Sequence, residues 1–138
     1  MQISEEVAKE QFEQFCEYYD FDAEDATAED VRVALDAATA RIIKAIMRGR
    51  LEVKDVDGDI TVRQVLKHPM GDVSELSYGV LTGKAKIAME KKKKQDDHHG
   101  KIYALLGSLS GLGEGAISSL RGADLSTAEC VGMVFLQV

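Results

Sequence analysis

Four stretches of this chain carry side chains of the kind that do chemistry. The first is Gly79-Val80-Leu81-Thr82-Gly83-Lys84-Ala85, a glycine-flanked turn between an expected strand and an expected helix. A phosphate-binding loop needs four residues between its glycines and a Ser or Thr after its lysine to hold Mg²⁺. Here three residues separate Gly79 from Gly83, and Ala85 follows Lys84, so nucleotide binding is not expected. The second is a pair of acidic loops, Asp20-Phe21-Asp22-Ala23-Glu24-Asp25 and Asp55/Asp57/Asp59. A calcium loop requires glycine at its sixth position and Glu at its twelfth. Those places hold Asp25 and Val31 in one loop, and Ile60 and Leu66 in the other. The third is His98-His99 beside Asp96 and Asp97. Adjacent histidines on a helix point about 100° apart, so only a loop would turn both onto one metal. The fourth is the C-terminal pair of short helices joined by a glycine turn, which has the outline of a helix-turn-helix. Reading base edges takes Arg, Lys, Asn or Gln. The stretch from Ser126 to Val138 has no Lys or Arg, and Gln137 is its one amide. His68, before Pro69, is expected in a loop. No nucleophile–base pair stands out, so neither an enzyme nor a cofactor or metal site is expected.

Composition is that of a globular chain, with 45% hydrophobic and 30% charged residues. The 138 residues suffice for one domain with its own core. Cys16 and Cys130 form no CxxC and are expected to be buried thiols in a reducing compartment. The acidic start, MQISEEVAKE, is not expected to be a targeting segment, and no apolar run reaches the ~18 residues of a membrane span. The net charge of −7 hides a polarity: residues 1–30 hold eleven Asp and Glu against Lys9 alone, whereas residues 31–138 hold sixteen Lys and Arg against thirteen acids. The acidic N-terminal face and the mildly basic remainder are expected to attract each other, within or between subunits. Nucleic acid is not expected as a partner, because phosphate binding needs a concentrated basic footprint.

The elements follow from periodicity. Ser4 is a cap for a first helix whose stripe is Ala8, Phe12, Phe15, Cys16 and Tyr19. Thr27 and Asp30 are a capping pair for a second helix near 28–48, stopped by Gly49. Leu51-Glu52-Val53-Lys54 and Ile60-Thr61-Val62-Arg63 alternate about Asp57-Gly58, which predicts a hairpin with strands near 51–56 and 59–65. His68 to Asp72 reads as a turn, and Leu76 to Leu81 as a third strand. Thr82 would cap a helix from Gly83 to about Lys94, followed by a polar linker through His99. Residues 101–138 are the most apolar part, with Ile102, Leu105, Leu106 and Leu109 at helical spacing. A short helix from Glu114 to Arg121 would bury Ile117 and Leu120 and end at Gly122. Ser126-Thr127-Ala128-Glu129 fits a capping box for a last helix. The expected fold is α+β and predominantly α-helical in one domain. Its parts are an acidic helix pair (1–50), a small antiparallel sheet (51–82), a helix with a Lys-rich linker (83–100) and an apolar three-helix unit (101–138).

From Leu51 onward these words recur in a known order: Leu76-Ser77-Tyr78, then Thr82-Gly83-Lys84, a polar spacer, Leu109-Ser110-Gly111-Leu112-Gly113-Glu114, Ile117 and Leu120, and Ala123-Asp124-Leu125. The order resembles the tail assembly chaperones of long-tailed bacteriophages, with Gly113 where that family often has proline. The resemblance implies a non-enzymatic factor of the host cytoplasm that binds the tape measure protein and helps recruit tail tube subunits. A structural virion protein, such as a connector or tail-completion protein, is the alternative. Such a factor needs apolar area for amphipathic helices and charge at its rim. The candidate partner-binding side chains are Phe12, Phe15, Leu112, Ile117, Leu120, Leu125, Met133 and Phe135. The richness of the apolar C-terminus also points to a homo-oligomer.

Overall fold

The computed structural model describes residues 2–91 and 98–138. It is α+β and mainly helical: a three-stranded antiparallel meander, in the order β1-β2-β3, packed against helices. Residues 92–97, which hold the last turn of the expected 83–94 helix and the start of the expected linker, lie outside the described residues, and the linker's last two residues, His98 and His99, open a helix instead.

Helix α1 (Glu5–Tyr19) opens at Ser4, whose Oγ accepts from the Val7 amide at 3.2 Å. It closes at Asp20 in the left-handed region, and one 3₁₀ turn (Ala23–Asp25) leads onward. Helix α2 (Glu29–Met47) starts without the expected Thr27 cap. Ala28 holds the cap position, and Asp30 accepts from the Val31 amide instead. The apolar stripe of α1 buries Ala8, Phe12 and Phe15, and that of α2 buries Leu35, Ala38, Ile42, Ala45 and Ile46.

Strands β1 (Leu51–Val56) and β2 (Asp59–Met70) pair across Asp57-Gly58. Both turn residues have positive φ, 55° and 90°, the backbone of a tight hairpin turn matched to strand twist. β2 does not stop at residue 65. It continues through the expected turn at His68 to Met70, and the chain reverses at Gly71-Asp72 into β3 (Val73–Tyr78). The β2–β3 register shifts between Val65 and Met70, so this irregular stretch carried a turn-like sequence inside a strand. The third strand thereby lies three residues earlier than its apolar run suggested. One sheet face buries Leu51, Val53, Ile60, Val62, Gln64, Leu66, Leu76 and Tyr78. The other faces solvent, where Arg63 meets Glu75 at 2.6 Å and Glu52 at 3.7 Å across the strands.

Helices α3 (Gly83–Glu90), α4 (His98–Ser110), α5 (Glu114–Ser118) and α6 (Ala123–Phe135) complete the fold. Helix α5 is shorter than expected, and Gly122 caps α6 rather than ending α5. The expected capping box from Ser126 to Glu129 therefore lies inside α6. Its N-terminal acid is Asp124, buried at 3% exposure. Helix α6 runs between α2, α4 and β2. Phe15 of α1 stacks on Phe12 with centroids 5.9 Å apart and meets Phe135 of α6 edge-on at 5.3 Å, so the two ends of the chain share one aromatic cluster.

Candidate functional site

Three of the four chemistry-bearing stretches take up structural roles. The Gly79 amide donates to the Leu109 carbonyl at 3.0 Å, which ties the end of β3 to α4 where a phosphate loop would stay open. Asp22 and Asp55 accept from the Glu24 and Gly58 amides at 2.9 and 2.8 Å, stabilising their own turns. The rings of His98 and His99 stand 6.3 Å apart at 80°. His99 Nε2 lies 3.5 Å from Glu129, which also accepts from the Tyr103 hydroxyl at 2.9 Å. Among the described residues no group of three or more His, Cys, Asp or Glu is placed to hold a metal ion, and no helix is long and apolar enough to cross a membrane.

A buried polar chain joins the sheet to α6. The Tyr78 hydroxyl donates to Gln64 Oε1 at 2.7 Å, and Gln64 Nε2 donates to the Asp124 carbonyl at 2.9 Å. The Asp124 carboxylate then accepts from the amides of Lys67 and His68, each at 2.8 Å. These amides lie in the irregular part of β2, where the ladder to β3 is broken. Asp124 supplies the acceptors that the missing ladder does not. Burial, and after it the negative charge of Asp124, pushes the Tyr78 hydroxyl well above its ordinary pKa. This chain is positional rather than chemical. It gives a physical role to the Asp-Leu pair within the resemblance.

The structure separates the eight candidate partner-binding residues into two groups. Phe12, Phe15, Ile117, Leu120 and Phe135 are buried in the core at 9% exposure or less. Their apolar area is already spent inside the molecule, so they form no open docking surface. The void among Phe12, Phe15, Ile42, Ile46 and Val131 measures about 20 Å³, room for about one water and no ligand. Leu125 and Met133 are half-buried against the core. Leu112 alone of the eight is exposed, at 46%.

Leu112 stands on the turn that joins α4 to α5. That turn folds back tightly, with the Gly113 amide donating to the Gly107 carbonyl at 3.1 Å. A Cβ on Gly107 would lie 2.5 Å from the Gly113 carbonyl carbon and the Glu114 nitrogen, so only glycine admits the close approach. Beside the turn, an open groove of about 500 Å³ runs between α3 and α4, floored by Ala88, Ala104, Gly107 and Gly111. Lys84, Ala88 and Lys91 line its α3 side. Ile87, 58% exposed, lies three residues after Lys84 and four before Lys91 on the same helix.

A second and larger groove, about 820 Å³, lies along the C-terminal half of α2. Arg41, Lys44 and Arg48 from one stripe of α2, Arg50 before β1, and Lys67 of β2 surround a floor that includes Ala37 and Ala40. Its one acid, Asp124, is committed to the β2 amides. Arg41 and Lys44 stand in the C-terminal half of α2 and Arg48 at its C-cap, where cations complement the helix dipole. Their convergence with Lys67 depends on the long-range packing of β2 and α6. No protein-family model, curated protein or solved structure matches this chain.

Proposed function

We infer that this protein is a non-enzymatic assembly factor of the tail-assembly-chaperone kind, binding a long helical tape measure protein and helping recruit tail tube subunits. The observation that carries this reading is the α3–α4 groove. It lies at the same Leu109 to Glu114 turn that carries the resemblance, its lining includes Ala88, Ala104, Gly107 and Gly111, and two residues next in sequence to its lining, Leu112 and Ile87, are exposed. Gly and Ala in the floor let a helix backbone approach closely. Leu112 and Ile87 offer apolar anchors, and Lys84 and Lys91 offer charge that fixes register. A small groove of this kind gives a reversible contact, which suits a factor that must later be displaced.

Co-expression with a tape measure protein from the same genome tests the reading. The expected result is a larger soluble fraction of that protein and a complex that co-elutes. Leu112→Asp with Ile87→Asp should abolish co-elution while leaving the thermal transition of the free chain in place, since both side chains are solvent-facing. Unchanged solubility with no complex overturns the reading. Recovery of the chain in purified particles would favour a structural virion role instead.

A further inference from the structure

We propose that the basic groove of α2 receives the acidic end of the helix pair of a second copy, so that molecules associate head to tail. The groove gathers Arg41, Lys44, Arg48, Arg50 and Lys67, and none of these makes an ion pair among the described residues. The opposite end of the helix pair carries Asp20, Asp22, Glu24, Asp25, Glu29 and Asp30, all exposed. These acids likewise meet no cation among the described residues; the one ion pair made by an acid of residues 1–30 there is Glu5 with Lys9. Two complementary charge clusters on one chain therefore stand unsatisfied.

They cannot satisfy each other within a molecule. From Asp30 to Lys44 the axis of α2 advances about 21 Å. That exceeds the screening length of about 8 Å at physiological ionic strength. The α-helix between them is rigid, so one chain cannot fold its acidic end into its own groove. A second copy can place its acidic end there. Because the two patches differ, the contact is heterologous, and its repetition gives a ring or an open filament rather than a closed pair. A nucleic acid strand would match the groove's charge but would meet the repulsion of the acid-rich remainder of a chain of net charge −7.

Sedimentation velocity over a concentration series tests this, with two charge-reversed variants. One carries Arg41→Glu, Lys44→Glu and Arg48→Glu; the other carries Glu24→Lys, Asp25→Lys and Glu29→Lys. The wild-type chain should show a mass that rises with concentration, with association about tenfold or more weaker in about 500 mM than in about 50 mM NaCl. Each variant alone should remain monomeric, since like charges then face each other. Mixing the two should restore association, because each reversed patch now meets its complement. The restored mixture also excludes misfolding as the cause of the single-variant losses. A wild-type chain that stays monomeric in low salt, a groove variant that still associates, or a mixture that stays monomeric overturns the proposal. So does a monomer that instead captures a single-stranded RNA oligonucleotide through the groove cations.

Discussion

Replacing Asp124 by alanine removes the acceptor of two β2 amides and lets the start of α6 drift from the sheet. Each hydrogen bond to a charged acceptor contributes about 1.5–3 kcal/mol net. The Lys67 and His68 amides are only part-buried and border an open groove, so water recovers a share of that loss. The expected cost of Asp124→Ala is therefore about 2–4 kcal/mol, below the simple sum of two such bonds. With a urea slope of about 2 kcal/mol/M for a chain of this size, the unfolding midpoint should fall by about 1–2 M. Asp124→Asn should fall between the two, because one oxygen remains to accept while the other position becomes a donor facing an amide. Asp124 also complements the dipole of α6, a contribution of about 0.3–1 kcal/mol that salt screens. Repeating the titration in high salt separates the two effects, since amide bonds to a buried carboxylate survive screening. A midpoint shift below about 0.3 M for Asp124→Ala, or a shift that vanishes in salt, would refute the assignment of Asp124 as the acceptor that completes β2.

Tyr78→Phe should cost about 1–2 kcal/mol at neutral pH by stranding the Gln64 oxygen. Because burial raises the folded-state pKa of Tyr78, its stabilising share is complete below the unfolded value near 10 and is lost as pH climbs beyond it, so the gap between wild type and variant should narrow in alkaline urea titrations. Gly107→Ala should lower the melting temperature, costing about 1–3 kcal/mol from the clash with Gly113 and Glu114 even though alanine favours helices. Gly115→Ala, whose Cβ would meet nothing within 4 Å, should instead be neutral or stabilising. Burial, with Glu13 and Asp22 nearby, pushes the Cys16 thiol up to about 11. Alkylation of Cys16 at pH 8, followed by mass spectrometry, should therefore be much slower in the native chain than in urea.

Local chemistry was legible in the sequence. Ser4 capped α1, and Asp57-Gly58 set the hairpin, because both signals act within four residues. The amphipathic stripes of α1 and α2 were legible too, but a stripe reports that a face is covered, not by what. Phe12, Phe15 and Phe135 read equally well as docking anchors, and only tertiary packing shows that they meet each other. The start of α6 was misplaced because its N-terminal acid, Asp124, hydrogen-bonds across the fold rather than to its own helix. Asp124 answers a gap in a strand roughly sixty residues away, which no local pattern encodes. Leu112 was the recoverable part of the site, since Gly111 and Gly113 on either side both adopt positive φ and hold it outward.

The position of α6 also has a consequence for synthesis. Helix α2 packs against α6, the last helix of the chain, more than against any other single element. Translation at about 5–20 residues per second leaves α2 waiting roughly 4–18 s before α6 has been made. Throughout that interval Ile42, Ile46 and the Phe12–Phe15 stack have no cover from the C-terminal end. The nascent chain is thus itself a client for holding factors, and its aggregation in cells should respond to elongation rate. Slowing the ribosome after the hairpin would lengthen that exposure and should lower the soluble yield, while the finished protein would be unchanged.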